Sequence, residues 1–187
     1  HFYKPLTLGD QVVIDPYLRD ETNIEAQEMD LTVLFEDPDY LILSKPWNQA
    51  SHPTGEHTGN TLANGAHHYL KARGIPSIHP VHRLDRTTSG VMVFAKHPIA
   101  QHALTLDKGK KEYRALVEGL VEAPEGSIDE PIAKIDAPSI RRIVTEKGKH
   151  ALTDYQVLVK GPKRTLLRVI LHTGRTHQIR VHLAHIG

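Results

Sequence analysis

Hydrophobic and polar positions alternate in short runs along much of this chain. Leu31 to Glu36 reads Leu-Thr-Val-Leu-Phe-Glu, Asp37-Pro38-Asp39 interrupts it, and Tyr40 to Ser44 reads Tyr-Leu-Ile-Leu-Ser, which predicts two strands about a turn. Lys45-Pro46 closes that unit. Leu6 to Ile14 predicts a glycine turn followed by a short apolar strand, and the acidic, aperiodic stretch from Asp15 to Asp30 predicts a linker. Residues 48 to 60 are rich in His, Gly, Thr and Pro, as in a loop. Beyond them Leu62, Ala66, Tyr69 and Leu70 predict an amphipathic helix through Ala72, stopped by Gly74 and Pro76. Val91 to Ala95 predicts a strand, Ala100 to Leu106 a helix, Tyr113 to Glu118 a strand ending at Gly119, and Leu152 to Val159 and Thr165 to Leu171 two more strands. Elements in this order with hairpin-like connections predict an α+β fold, a central mixed and mostly antiparallel sheet flanked by helices. Neither an internal repeat nor a low-complexity tract is visible.

Composition narrows the class. At 187 residues and 39% apolar, the chain suits one sizeable domain. No apolar run of about 18 residues and no charged-then-apolar leader occurs, so neither a membrane span nor a signal peptide is expected. Cysteine is absent, which excludes disulfides and thiolate metal sites and is compatible with a reducing cytoplasm. The net charge of +1 hides an asymmetry: residues 1 to 56 hold 3 Lys/Arg against 11 Asp/Glu, and residues 57 to 187 hold 20 against 11. A basic body fits a phosphate-rich partner, although solvated lysine faces give the same count.

The chemistry concentrates in two stretches. His82 to Gly90, His-Arg-Leu-Asp-Arg-Thr-Thr-Ser-Gly, sets Asp85 between Arg83 and Arg86. Guanidiniums so close favour the ionised carboxylate, which suits a nucleophile or base; a surface ion network is the plainer alternative. In the second stretch, His172 to Gly187, an apolar strand ends in a Thr-Gly turn. Ile179 and Leu183 then share a helix face, Thr176 is a candidate cap, and Arg180 projects from the first turns, where a solvent-facing or salt-bridged arginine is the ordinary reading. Among His172, His177, His182 and His185 only the last two lie three apart, and no His-Glu-x-x-His occurs. No metal site is expected, and hydrogen-bonding or phosphate-contacting histidines fit better. The chain has no phosphate-binding Gly-x-x-x-x-Gly-Lys-Ser/Thr loop, no Gly-x-Gly-x-x-Gly and no Gly-x-Ser-x-Gly elbow, so nucleotide cofactors lack a basis. Tyr113, after the basic cluster Lys108, Lys110 and Lys111, either pads a core or stacks on a base in a cleft.

Together with Ser44-Lys45-Pro46, Ala95-Lys96, Lys111-x-Tyr113, Gly148-Lys149-x-Ala151-x-Thr153 and Thr173-Gly-Arg-Thr-His-Gln-Ile-Arg-Val-His182, the His82 to Gly90 motif resembles the RluA-type family of pseudouridine synthases from about Leu31 onward. The resemblance implies a pseudouridine synthase domain with a catalytic cleft over residues 31–187. It implies isomerisation of uridine in structured RNA, either large-subunit ribosomal RNA or transfer RNA, in the cytoplasm and without metal, redox or nucleotide cofactor. Residue by residue it implies Asp85 as the essential carboxylate, Arg180 as its ion-pair partner, Tyr113 as the base-stacking residue, and Arg83 as the side chain that fills the space of an extruded uridine. Arg86, Lys111, Arg175 and His177 are expected at the RNA, and Lys108, Lys110, Arg141 and Arg142 at its phosphates.

Residues 1–30 are expected to be an extension or linker, since residues 1–18 resemble the exit from a small S4-type RNA-binding domain. The chain is shorter than the family between Thr105 and Lys111 and stops at Gly187, where members continue through a Gly-Asp segment, so the domain is expected to be incomplete at its C-terminus. Two rival readings are a catalytically inactive RNA-binding module and a glycosidase-like hydrolase. The hydrolase ordinarily needs two opposed carboxylates.

Overall fold

The alternation along residues 32–45 folds into a hairpin. This computed structural model describes residues 5–13, 22–55, 58–106, 109–135 and 141–187, and the chain divides into two units, residues 1–107 and 108–187. The first holds β1 (Thr32–Glu36), β2 (Tyr40–Lys45), α1 (Leu62–Lys71), β3 (His79–Pro80), β4 (Gly90–Ala95) and α2 (Pro98–Leu106). Its strands pair antiparallel in the order β1-β2-β4-β3. Asp37 Oδ1 accepts the amides of Asp39 and Tyr40, which makes the turn between β1 and β2.

Period-two alternation buries Leu41 and Leu43 of β2 against their register partners Phe94 and Met92 of β4, and α1 adds Leu62, Ala66 and Leu70. Each large apolar side chain buried in this layer contributes about 1.5–3 kcal/mol. Lys45 continues the same buried row, an ammonium where the pattern calls for an apolar side chain. At the start of α1, Thr61 and Asn64 form a reciprocal capping box, and Ala50 O and Ser51 O accept the amides of Leu62 and Ala63.

Residues 22–31 carry neither helix nor strand, yet they are tied to α1. Asn64 Nδ2 donates to Glu25 O at 2.8 Å, the Gln27 amide donates to Asn64 O at 3.1 Å, and His67 Nδ1 lies 2.6 Å from Ile24 O. Further upstream the turn at Leu8-Gly9 forms, but residues 11–13 are not the expected strand, and Val12 and Val13 are exposed. A short apolar run with no neighbouring strand has nothing to complete its hydrogen bonds. Ile14 and residues 15–21 lie outside the described residues.

The second unit holds β5 (Lys111–Glu118), β6 (Glu125–Asp129), β7 (Ile132–Lys134), β8 (Arg142–Val144), β9 (Leu152–Lys160), β10 (Arg164–Leu171) and α3 (Gln178–His185). One sheet runs β5-β10-β9-β6, while β7 and β8 form a separate ribbon. The α+β class holds, and every strand pair among the described residues is antiparallel, in two four-stranded sheets and a two-stranded ribbon. The strands the sequence pattern does not reveal, β3, β6, β7 and β8, are 2 to 5 residues long, too short to express a period.

The ribbon depends on one close approach. Ile132 and Lys149 exchange backbone hydrogen bonds of 3.0 and 2.9 Å, and a Cβ on Gly148 would lie 2.6 Å from the Ile132 backbone. Only glycine fits there.

Candidate active site

The loop of residues 81–89 connects β3 to β4, and its first residues are pinned to β4. The Val81 amide donates to Val93 O at 3.0 Å, and the Val93 amide donates to His82 Nε2 at 3.3 Å. Leu84 points into the core, which leaves Arg83 and Arg86 exposed and Asp85 half-buried. A turn closes with the Thr88 amide donating to Asp85 O at 2.9 Å, and Gly90, at φ 137°, redirects the chain into β4.

A second loop, residues 46–55, locks the first in place. The Lys45 ammonium donates to Pro46 O at 2.9 Å, Gln49 O at 2.7 Å and Arg86 O at 3.2 Å, so all its protons are used inside the protein. Burial pushes the Lys45 pKa below its ordinary value, and the nearby Asp85 charge opposes that shift. Arg86 Nε donates to Asn48 O at 3.2 Å. The Ser51 hydroxyl donates to Leu84 O at 2.6 Å and accepts the Leu84 amide at 3.0 Å. His52 completes this side, its pKa lowered by burial and by the Arg83 charge, which favours a neutral imidazole.

Lys45 lies inside a motif that carries the family resemblance, yet the expected site residues do not include it. The signal is present in the pattern: a lysine in register with Leu41 and Leu43 faces inward and must find partners there. Along residues 45–54 and 82–90 Asp85 is the sole carboxylate, accompanied by Lys45, Arg83 and Arg86.

The second unit carries the remaining expected residues. Lys111 and Tyr113 lie on β5, an edge strand, with Tyr113 half-buried opposite Val169 of β10. Between them Glu112 binds Arg168 and Arg114 at 2.8 Å each and Lys110 at 3.5 Å, and these cations hold its carboxyl at about 2. Arg141 and Arg142 stand at β8, and Lys108 falls outside the described residues.

The expected Thr176 cap is not the one used. The N-cap of α3 is His177, in the left-handed region at φ 58°. Gln178 ties the turn back onto the helix, since its Oε1 accepts the Arg175 amide at 2.9 Å and the Thr173 hydroxyl at 2.8 Å, and His177 makes no side-chain cap hydrogen bond. Gln178 Nε2 also donates to Leu152 O at 3.0 Å and Thr153 Oγ1 at 2.9 Å. One turn on, His182 is fully buried, with Nδ1 2.9 Å from Thr153 Oγ1 and Nε2 2.9 Å from Glu130 O.

The long C-terminal motif therefore works largely as a staple between α3 and β9. His172 meets Asp154 and helps lower that carboxyl. No group of three metal-ligating side chains occurs among the described residues. Arg175 Nε donates to His150 O at 2.8 Å. Arg180 projects from the side of α3 away from Gln178 and His182, into a largely apolar groove of about 660 Å³ lined also by Val117, Leu120, Ile128 and Leu183.

The family profile described as RNA pseudouridylate synthase matches residues 39–185, spanning both loops and all of α3. The chain belongs to this family. Similar members include an uncharacterized RNA pseudouridine synthase of Aquifex aeolicus, 38% identical over 98% of this chain and 61% of its own length. Another, from Bacillus subtilis, is 39% identical over 96% and 62%. Ribosomal large subunit pseudouridine synthase D of Pasteurella multocida is 37% identical over 96% of this chain and 56% of its own. The chain thus spans about three-fifths of the length of these family members. Human RNA pseudouridylate synthase domain containing 4 superposes with a TM-score of 0.65 at 27% identity, covering 82% of this chain and 64% of that one. Domain containing 1 shares the fold at a TM-score of 0.69 and 23% identity, covering 90% and 68%. No helix among the described residues is long and apolar enough to cross a membrane.

Proposed function

We propose that this chain carries the catalytic machinery of an RNA pseudouridine synthase, with Asp85 as the reacting carboxylate. One observation carries the reading beyond family membership: among the described residues of two loops cross-linked by hydrogen bonds, Asp85 is the only acid, and Lys45, Arg83 and Arg86 accompany it. A hydrolase of the glycosidase type needs a second opposed carboxylate, which the described residues of neither loop supply.

The reaction breaks the bond between uracil N1 and the sugar C1′, turns the detached base, joins its C5 to C1′ and releases the C5 proton. Product and substrate have the same composition, so the balance requires no oxidant, reductant or energy source. Asp85 either attacks C1′ or removes a sugar proton to give a glycal, and both routes use its ionised form.

The other roles follow from the family resemblance. Arg180 is the ion-pair partner of Asp85, and Tyr113 stacks on the uracil. Arg83 occupies the vacancy left by an extruded base, where a planar guanidinium both stacks and hydrogen-bonds. Extrusion costs a few kcal/mol, least in loops and bulges, so a loop uridine is the favoured target. Arg86, Lys111, Arg175 and His177 contact the RNA, and Lys108, Lys110, Arg141 and Arg142 its phosphates. The function that the Pasteurella multocida relative is named for supports large-subunit ribosomal RNA over transfer RNA, and a cytoplasmic location fits such a substrate.

RNA carrying tritium at uridine C5 tests the reading. Release of tritium into water without free uracil is the expected result. Free uracil would instead indicate a hydrolase, and binding with neither product would leave an inactive RNA-binding module.

A further inference from the structure

The loop that locks Asp85 in place presents a side chain the chemistry above does not use. Trp47 is the single tryptophan of the chain and is 67% exposed. Isolated exposed apolar residues are common and by themselves imply nothing. This one differs because its backbone is fixed on both sides. Lys45 Nζ holds Pro46 O at 2.9 Å before it and Gln49 O at 2.7 Å after it, and the same ammonium reaches Arg86 O. Asn48 sits at φ 63° with its carbonyl held by Arg86 Nε at 3.2 Å. The indole is therefore mounted on a rigid turn tied directly to the residue after Asp85.

Its surroundings decide what such a ring can bind. Pro46 and Asn48, its chain neighbours, are exposed, and Arg86, whose guanidinium reaches Asn48, is exposed as well. A protein partner would call for a wider apolar patch than one ring beside an amide and a guanidinium. A flat π face next to an arginine matches an unpaired nucleotide: the base stacks on the ring and the cation meets the phosphate. We infer that Trp47 is a stacking platform for an unpaired nucleobase flanking the nucleotide that reacts at Asp85. The inference rests on the proposed RNA function and adds a binding residue to it.

The lone tryptophan supplies its own reporter. An RNA stem-loop with a uridine in the loop is titrated into the protein while indole emission and the anisotropy of dye-labelled RNA are followed in parallel. Emission is expected to be quenched along the same isotherm as binding. Trp47→Ala is expected to weaken binding about tenfold, with KM for RNA rising more than kcat falls, whereas Trp47→Phe retains most of the affinity. RNA bound with the emission unmoved, or bound equally well by Trp47→Ala, overturns the stacking role and leaves the catalytic reading intact. A wild-type protein that binds no RNA overturns both.

Discussion

Lys45 Nζ lies 3.2 Å from the main-chain oxygen of Arg86, so a fully buried ammonium at the end of β2 holds the loop that carries Asp85 from 41 residues away. Replacing it by methionine keeps the volume but leaves the oxygens of Pro46, Gln49 and Arg86 without that donor. Each buried acceptor so stranded costs about 1–3 kcal/mol, partly offset because the ammonium no longer has to be desolvated. Lys45→Met is expected to lower stability by about 1–3 kcal/mol in urea denaturation. Its tritium-release rate is expected to fall at least about tenfold, because a misplaced reacting group is costly.

Asp85→Asn preserves shape and removes the charge. Turnover in the tritium assay should drop at least about a thousandfold, the scale on which loss of an essential reacting group acts. RNA affinity, measured by anisotropy, should stay within about threefold, since phosphate contacts dominate nucleic-acid affinity in general and a carboxylate makes none. Retained turnover would remove Asp85 from its role.

Glu112 makes stability depend on pH. Its folded pKa, about 2, lies below the ordinary value of 4.5 because Arg168 and Arg114 hydrogen-bond the carboxylate. The stabilisation is complete above pH 4.5 and is lost as the pH falls from there through 2. The group is water-exposed, so screening keeps the effect small. Melting temperatures of wild type and Glu112→Gln should differ near neutral pH and converge as the pH approaches 2.

At Gly148 the space for a Cβ is taken by backbone, which cannot swing aside as a side chain can. Gly148→Ala should cost about 1–3 kcal/mol, read by urea denaturation, and the paired hydrogen bonds between Ile132 and Lys149 should open before the rest of the ribbon. Gly109→Ala, where nothing lies within 4 Å of the new methyl group, is the control and should be near neutral.

The Thr153 hydroxyl joins Gln178 and His182 of α3 to β9. Thr153→Val keeps the shape, takes the partner from His182 Nδ1 and leaves Gln178 Nε2 with Leu152 O alone, for an expected loss of about 1–3 kcal/mol. Because Arg180 rides on the same helix, activity should fall as well, though the substituted side chain is buried on the opposite face of α3.

Local patterns are legible in the sequence wherever a strand is long enough to alternate and one face is buried, as with Leu41, Leu43, Met92 and Phe94. β6 is not legible because Ile128 is the one buried apolar residue in its five. The cap of α3 falls at His177, in the left-handed region, rather than at Thr176, and Gln178 inside the helix ties back the Arg175 amide, neither of which residue type alone reveals.

At the candidate site, Arg83, Asp85 and Arg86 stand together in the chain and can be seen there. Asn48, Ser51 and Trp47 cannot. Asn48 joins the loop through its carbonyl, which every residue possesses, and Trp47 matters through the fixing of its backbone, which composition does not record.

The two-way bond between Ser51 and Leu84 gives a side chain the function of a peptide group. A single oxygen answers both the N–H and the C=O of one residue, as a neighbouring strand would at one rung of a ladder, although no strand runs there. The amide just before Asp85 should therefore exchange with deuterium at a rate typical of sheet interiors, and Ser51→Ala should release it to exchange like an open loop.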